Sequence, residues 1–208
     1  MPTKTAIKSL IRAIRNGKDA DVKKMIAADG ELTNSCASAP PKKDDGQSPL
    51  QIAFKTGRFA IAEFLIDHGA DVTFIEESVV NEWRAPVIHD AIRAAAFNMR
   101  VAYKGNAKTF ATAIALLTKL LDNGADPNAT DSYGNNCLAR ALLDLRIQLT
   151  SIPLEDSAAA ESHSVFDEDA TQLLGVLLEY RADIHASNKT RESAFDHSRG
   201  TYFERFLK

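Results

Sequence analysis

An all-α chain built from repeated helix pairs is expected here on three observations. One short phrase occurs three times, as Asp67-His68-Gly69-Ala70-Asp71-Val72, Asp122-Asn123-Gly124-Ala125-Asp126-Pro127 and Glu179-Tyr180-Arg181-Ala182-Asp183-Ile184. Each copy closes an apolar run with helical spacing, and Gly69 and Gly124 suit the left-handed residue that ends a helix. Between the copies lie helix-starting signals such as Ser48-Pro49, where a hydroxyl caps the first turn and proline sacrifices no needed amide donor. Repetition on this scale implies similar units stacked side by side.

The units follow in order. The first, residues 4–36, has Leu10-Ile11-Arg12-Ala13-Ile14, then Asn16-Gly17, then Val22-Lys23-Lys24-Met25-Ile26, which reads as two short helices around a turn. It lacks the proline opening and has a basic outer face, as a solvent-facing N-terminal cap would. The second, 43–75, opens with Gly46-Gln47-Ser48-Pro49-Leu50-Gln51-Ile52-Ala53. Gly57 then breaks the helix, and Ile61-Ala62-Glu63-Phe64-Leu65-Ile66 returns antiparallel. The third, 81–130, opens at Val87-Ile88-His89-Asp90-Ala91-Ile92, and its first helix is expected to continue through Ala95 and Met99. It turns at Tyr103-Lys104-Gly105-Asn106, and a second helix starts near Thr109 with Phe110, Ala113, Ile114, Leu117 and Leu121 on one stripe. The fourth, 131–187, opens at Asn136-Cys137-Leu138-Ala139-Arg140-Ala141 and extends through Leu142, Leu145 and Leu149. The fifth, 188–208, opens at Ser193-Ala194-Phe195-Asp196-His197-Ser198 and closes as a C-terminal cap on Tyr202, Phe203 and Phe206-Leu207.

The second unit resembles an ankyrin repeat, whose period is about 33 residues and whose signature is T-P-L-H-x-A after a β-turn. Ser48 stands for the Thr and Gln51 for the His, while Leu50, Ala53 and Gly57 fall in register. The resemblance implies one domain, 1–208, an ankyrin-repeat solenoid of helix-turn-helix units with β-turn fingers. The spacing departs from the family, because Ala70 to Ala125 is 55 residues and Ala125 to Ala182 is 57, overshooting one period by 22 and 24. Both insertions, near 97–113 and 148–168, fall between the two helices of a unit. Two adjacent lengthened units bury each other's apolar stripes, which predicts a four-helix protrusion away from the fingers. Within the second insertion, Ser151 to Asp167 reads as a mobile loop, with Pro153, three Ala, four Ser and several acidic residues.

Composition narrows the function. The net charge of −3 gives no global field for nucleic acid, and no basic patch interleaves with aromatics. No uninterrupted apolar run of about 18 residues occurs and the start shows no secretory pattern, so the expected location is cytoplasmic and no membrane is involved. Cys36 and Cys137 lie about 100 residues apart in no paired motif, which argues against a disulfide framework or a zinc site. Charge is nonetheless uneven: Met1 to Lys43 holds nine Lys/Arg against four Asp/Glu, whereas Ser151 to Ala170 holds six acidic residues and no Lys or Arg. That acidic stretch reads as a solvated face, or as a flap that a basic partner or the basic N-terminal end engages.

No catalytic residue, cofactor site or metal centre is expected. His89 sits in the helix-opening His slot, where the resemblance implies hydrogen bonding to neighbouring backbone, and His68 sits at a helix end that favours a cation. Glu155, Asp156, Glu161, His163, Asp167, Glu168 and Asp169 follow no metal-loop spacing. The expected function is binding of another protein, such as a toxin or an enzyme that is inhibited or tethered, by a chain that is itself a monomer. The resemblance places such binding on the fingers and the exposed side of the first helices. Those slots hold Asp44, Asp45, Gln47 and Lys55 in the second unit and Glu82, Trp83, Ala85 and Arg93 in the third. The fourth supplies Ser132, Tyr133 and Asn135, and the fifth Lys189, Thr190 and Glu192. Trp83 and Tyr133 occupy equivalent slots of adjacent fingers near Arg93, and these residue types dominate interface energies. Trp83 has a second reading, because Arg84 replaces the turn glycine and the ring can pack down over its own unusual finger. Two alternatives stand beside protein binding: a metal-dependent or enzymatic site on the acidic insertion, and a self-associating scaffold.

Overall fold

The computed structural model describes residues 1–103, 105–152, 159–188 and 190–208. Among them are nine α-helices and no strand. They come in pairs: α1 (Lys4–Arg15) with α2 (Asp19–Ala28), α3 (Pro49–Lys55) with α4 (Phe59–Asp67), and α5 (Val87–Ala96) with α6 (Ala107–Asp122). Next come α7 (Cys137–Thr150) with α8 (Ala159–Glu179), and last α9 (Ala194–Ser198) with a 3-10 turn at Tyr202–Phe206. The first helices α1, α3, α5, α7 and α9 pack in one row, and α2, α4, α6 and α8 in a second row behind it.

Local chemistry sets the ends of these helices. Ser48 Oγ accepts from the Gln51 amide and Gln51 Oε1 accepts from the Ser48 amide, both at 3.2 Å, so two orphan donors of α3 are satisfied reciprocally. Asn106 and Thr109 cap α6 with the same reciprocal pair, and Asn136 and Ser193 cap α7 and α9 by accepting from the amide three residues on. At the closing phrases Gly69 and Gly124 take φ of 78° and 94°, and Arg181 takes the same left-handed conformation at 66°. Each turn returns the chain so that Ala70, Ala125 and Ala182 are buried. One apolar core then runs through both rows, with Leu10, Ile14, Ile52, Leu65, Ile92, Leu117, Leu145 and Leu173 all at 0–1% exposure. Burying a side chain of this size contributes roughly 1.5–3 kcal/mol, and one contiguous core shares these residues among all the helix pairs.

Side chains also tie each unit to the next. Gln51 Nε2 donates to the Ala85 carbonyl at 3.0 Å, and His89, in the same slot one unit later, places Nε2 3.0 Å from the Ala129 carbonyl. Asn34 clasps the first closing turn, donating to the Gly69 carbonyl and accepting from the Asp71 amide. Asn128 does the same at the third, with the Arg181 carbonyl and the Asp183 amide.

The insertions differ from expectation in two respects. The helix α5 does not continue to Met99; it ends at Ala96, and Met99 is fully buried in an irregular segment. Beyond Ala96 the amides of Asn98 and Met99 bond three residues back, to the Ala95 and Ala96 carbonyls, and the Arg100 amide donates to Asp169 Oδ2 at 2.8 Å. Residues 159–167 are not loop but the first turns of α8. Ala is the strongest helix former, and Phe166, Ala170, Leu173, Leu174 and Leu177 supply a continuous buried stripe that fixes those turns against the core. The expectation for Pro153 and the acidic Glu155 and Asp156, like that for the turn residue Lys104, concerns positions outside the described residues.

Candidate partner-binding surface

The loop 71–86 joins α4 to α5 and ends in Trp83-Arg84-Ala85-Pro86, and the loop 123–136 joins α6 to α7 and carries Tyr133. Asp131 connects them. Its carboxylate, 5% exposed, accepts from Trp83 Nε1 at 3.0 Å and from Tyr133 N, Asn135 N and Asn135 Nδ2 at 2.9 Å. Burial opposes its charge, but the hydrogen bonds from Asn135 and Trp83 outweigh that and hold its pKa below the usual carboxylate range. Ser132 completes the contact by accepting from the Arg84 amide and donating to the Glu82 carbonyl. Trp83 is thus pinned at its indole nitrogen with its ring half-exposed, while Tyr133 is 46% exposed. Both line one recess of about 470 Å³.

The cations expected there are present. Lys55 Nζ lies 5.6 Å and Arg93 Cζ 6.0 Å from the centre of the Trp83 ring, within range of a cation–π attraction. Behind them is a row of buried acids. Lys55 pairs with Glu76 at 3.2 Å and with Asp90 at 3.7 Å, and Arg93 approaches Asp144 at 4.0 Å. Arg140 holds Asp144 with two hydrogen bonds, at 2.8 and 3.0 Å. Burial pushes the Asp90 carboxyl up to about 7, partly countered by Lys55 and reinforced by Glu76. Trp83, Lys55 and Arg93 also line a second cleft of about 500 Å³, with Phe54, Asp90 and Phe97.

Five residues expected on this surface are buried instead: Asp44, paired with Arg15, Ala85, and Asp45, Gln47 and Asn135, of which Gln47 still lines the recess. Asp45 accepts from the Ala39 amide at 2.8 Å and from Ser78 Oγ at 2.9 Å, bonds that lower its pKa and brace one loop against the next. Gln47 donates to the Lys43 carbonyl, and Asn135 is held by Asp131; all three are buried. Short polar side chains beside a tight turn find backbone partners before they find solvent. Lys189 lies outside the described residues. Asp131, Glu76, Asp90 and Asp144 were missed by the pattern reading, although Asp90 and Asp144 each interrupt an apolar helical run, which is the available signal for a buried charge with a partner.

The remaining candidates are structural. Burial drives the His89 imidazole down to about 4, so it is neutral near pH 7 and acts as a packing and hydrogen-bonding residue. His68 Nδ1 lies 2.8 Å from the Phe64 carbonyl at the end of α4. Burial raises both thiols, Cys36 to about 11 with help from Glu77 and Cys137 further, so neither is poised as a thiolate. In the acidic insertion, Asp169 and Glu168 bind Arg100, and Asp167 binds Tyr202 and Arg205. Among the described residues no group of three or more His, Cys, Asp or Glu side chains is arranged to hold a metal ion.

No helix among the described residues is long and apolar enough to cross a membrane. No curated protein matches the chain. The Ankyrin repeat family model matches residues 45–76, the stretch that holds α3, α4 and the first closing phrase. Ankyrin repeats generally mediate protein–protein interaction and are typically non-enzymatic. The chain therefore contains an ankyrin repeat at residues 45–76, within an all-helical structure consistent with an ankyrin-repeat protein.

Proposed function

We propose that this chain is a non-enzymatic binding protein whose five units, with the bounds given above, stack as a solenoid and recognise another protein through their loop tips and first-row helices. Trp83, Tyr133, Arg93 and Lys55 form the centre of that surface, and binding there inhibits or tethers the partner. The observation that carries this reading is the convergence of Trp83 and Tyr133, from loops of two successive units, on one recess beside two cations. Trp83, held at its indole nitrogen by the buried Asp131, loses little side-chain entropy on binding, which is what makes such a residue an anchor.

The test is affinity capture from the source organism with the wild type and with a Trp83→Ala/Tyr133→Ala variant, followed by titration of whatever the wild type retains. Loss of the two rings should weaken that complex at least tenfold, about 1.4 kcal/mol. An affinity unchanged within a factor of about three would sink the assignment of this face.

A further inference from the structure

The recess at Trp83 and Tyr133 is not isolated. On its far side it includes Lys42 and Lys43, and Lys43 is shared with a groove of about 420 Å³ between α1 and the loop 35–48. That groove has an apolar floor of Ile7, Ile11, Ala37, Pro40 and Pro41 and a rim of Lys8, Arg12 and Lys43. At its other end the recess shares Trp83 with the cleft that holds Arg93 and Phe97. Successive concavities thus share one lining residue each, Lys43 and then Trp83, along a track from α1 to α5.

Its charges are unbalanced. Arg15 is paired with Asp44, Lys55 with Glu76 and Asp90, and Arg93 approaches Asp144. Lys8, Arg12, Lys42 and Lys43 are exposed and have no ion-pair partner among the described residues. The acids beside them, Asp44, Glu76 and Asp90, are buried and already engaged by Arg15 and Lys55. Glu82 is exposed on the recess. A chain of net charge −3 thus presents a track on which unpaired cations prevail over an apolar floor.

We propose that the partner segment lying in this track is an acidic polypeptide, with carboxylates facing Lys8, Arg12, Lys42 and Lys43 and a large apolar side chain seated between Ile7, Ile11 and Pro40. This rests on the binding face proposed above and adds the chemistry of what it binds. Desolvated apolar contact supplies affinity while the cations select sign and speed encounter. A nucleic acid fits less well: its phosphates gain from the lysines, but the track offers it an aliphatic floor, and the Trp83 ring already faces Lys55 and Arg93.

The experiment is selection of a displayed library of random peptides of about 16 residues on the full-length chain at low salt, with parallel titration of a random single-stranded oligonucleotide. Selected peptides should be acidic with an interspersed Leu, Phe or Trp. They should lose at least about tenfold in affinity on a Lys8→Glu/Lys43→Glu variant, and similarly from about 50 to 300 mM salt. Both positions are exposed, and an unchanged circular dichroism melt verifies that the variant folds. Neutral or basic peptides, no selection at all, or tighter binding of the oligonucleotide would overturn the inference. So would acidic peptides indifferent to the charge reversal; if those still lose binding on Trp83→Ala/Tyr133→Ala, the binding face stands and only its acidic specificity falls. Peptides indifferent to both variants overturn both.

Discussion

Arg181 occupies the left-handed position that glycine holds in the two earlier closing phrases, with φ of 66°. A side chain there crowds the following carbonyl, and the repeat tolerates it because the turn is clamped by Asn128 from the preceding unit. Arg181→Gly should therefore stabilise the protein by about 0.5–1 kcal/mol, measured by urea unfolding, and a loss of stability would show that the arginine side chain matters more than its backbone. Asp90 gives a second prediction at this scale. Its folded pKa, about 7, lies above the ordinary carboxylate value, so the native state favours the protonated form. The resulting stabilisation is present at acid pH and is lost as pH rises through about 7. Asp90→Asn keeps the Gln51 hydrogen bond and removes the titration, so variant stability relative to wild type should rise by about 2 kcal/mol between pH 5 and pH 8. Equal differences at both pH values would contradict a buried, strained carboxylate. Sequence pattern made Gln51 and His89 legible, because their slot fixes both direction and partner. It did not reveal Asp90 or Asp131, whose roles depend on Lys55 and Trp83 arriving from distant parts of the chain.

The segment that follows α5 is joined to α8 by a charge clamp that the periodicity could not show. Arg100, just beyond α5, donates from both backbone and guanidinium to Asp169 and reaches Glu168 on α8. Asp167, Glu168 and Asp169 of the acidic stretch are therefore engaged by Arg100 and Arg205, and among the described residues no acid of that stretch pairs with the basic N-terminal helix. Asp169 is 2% exposed, so removing its partner strands a buried charge. Arg100→Ala should cost about 2–3 kcal/mol and increase hydrogen exchange in the first half of α8. An exchange pattern unchanged there would mean that Phe166 and the apolar stripe hold those turns alone. The intervals between closing phrases exceed one repeat period, and a repeat of fixed geometry turns excess length into insertion. What that added chain does depends on tertiary contacts: the Arg100 amide bonds Asp169, and the first turns of α8 carry the buried Phe166.

Across the whole molecule, two rows of helices place the loop tips and first helices on one side, and the lengthened second helices α6 and α8 on the other. Helix starts such as Ser48, Asn136 and Ser193 and the left-handed turns at Gly69 and Gly124 were readable from the sequence, because those motifs are local. The composition of the proposed binding face was only half readable. Trp83, Tyr133, Lys55 and Arg93 come together as the slots imply, while Asp45, Gln47 and Asn135 are consumed by the loops that present them. A partner on this face should approach Lys42, Lys43 and Lys55 and leave Lys23, Lys24, Lys108 and Lys119 of the second-row helices untouched. Lysine cross-linking of the captured complex, read by mass spectrometry, measures this directly. The account predicts intermolecular cross-links at Lys42, Lys43 or Lys55; cross-links confined to Lys23, Lys24, Lys108 or Lys119 would contradict it.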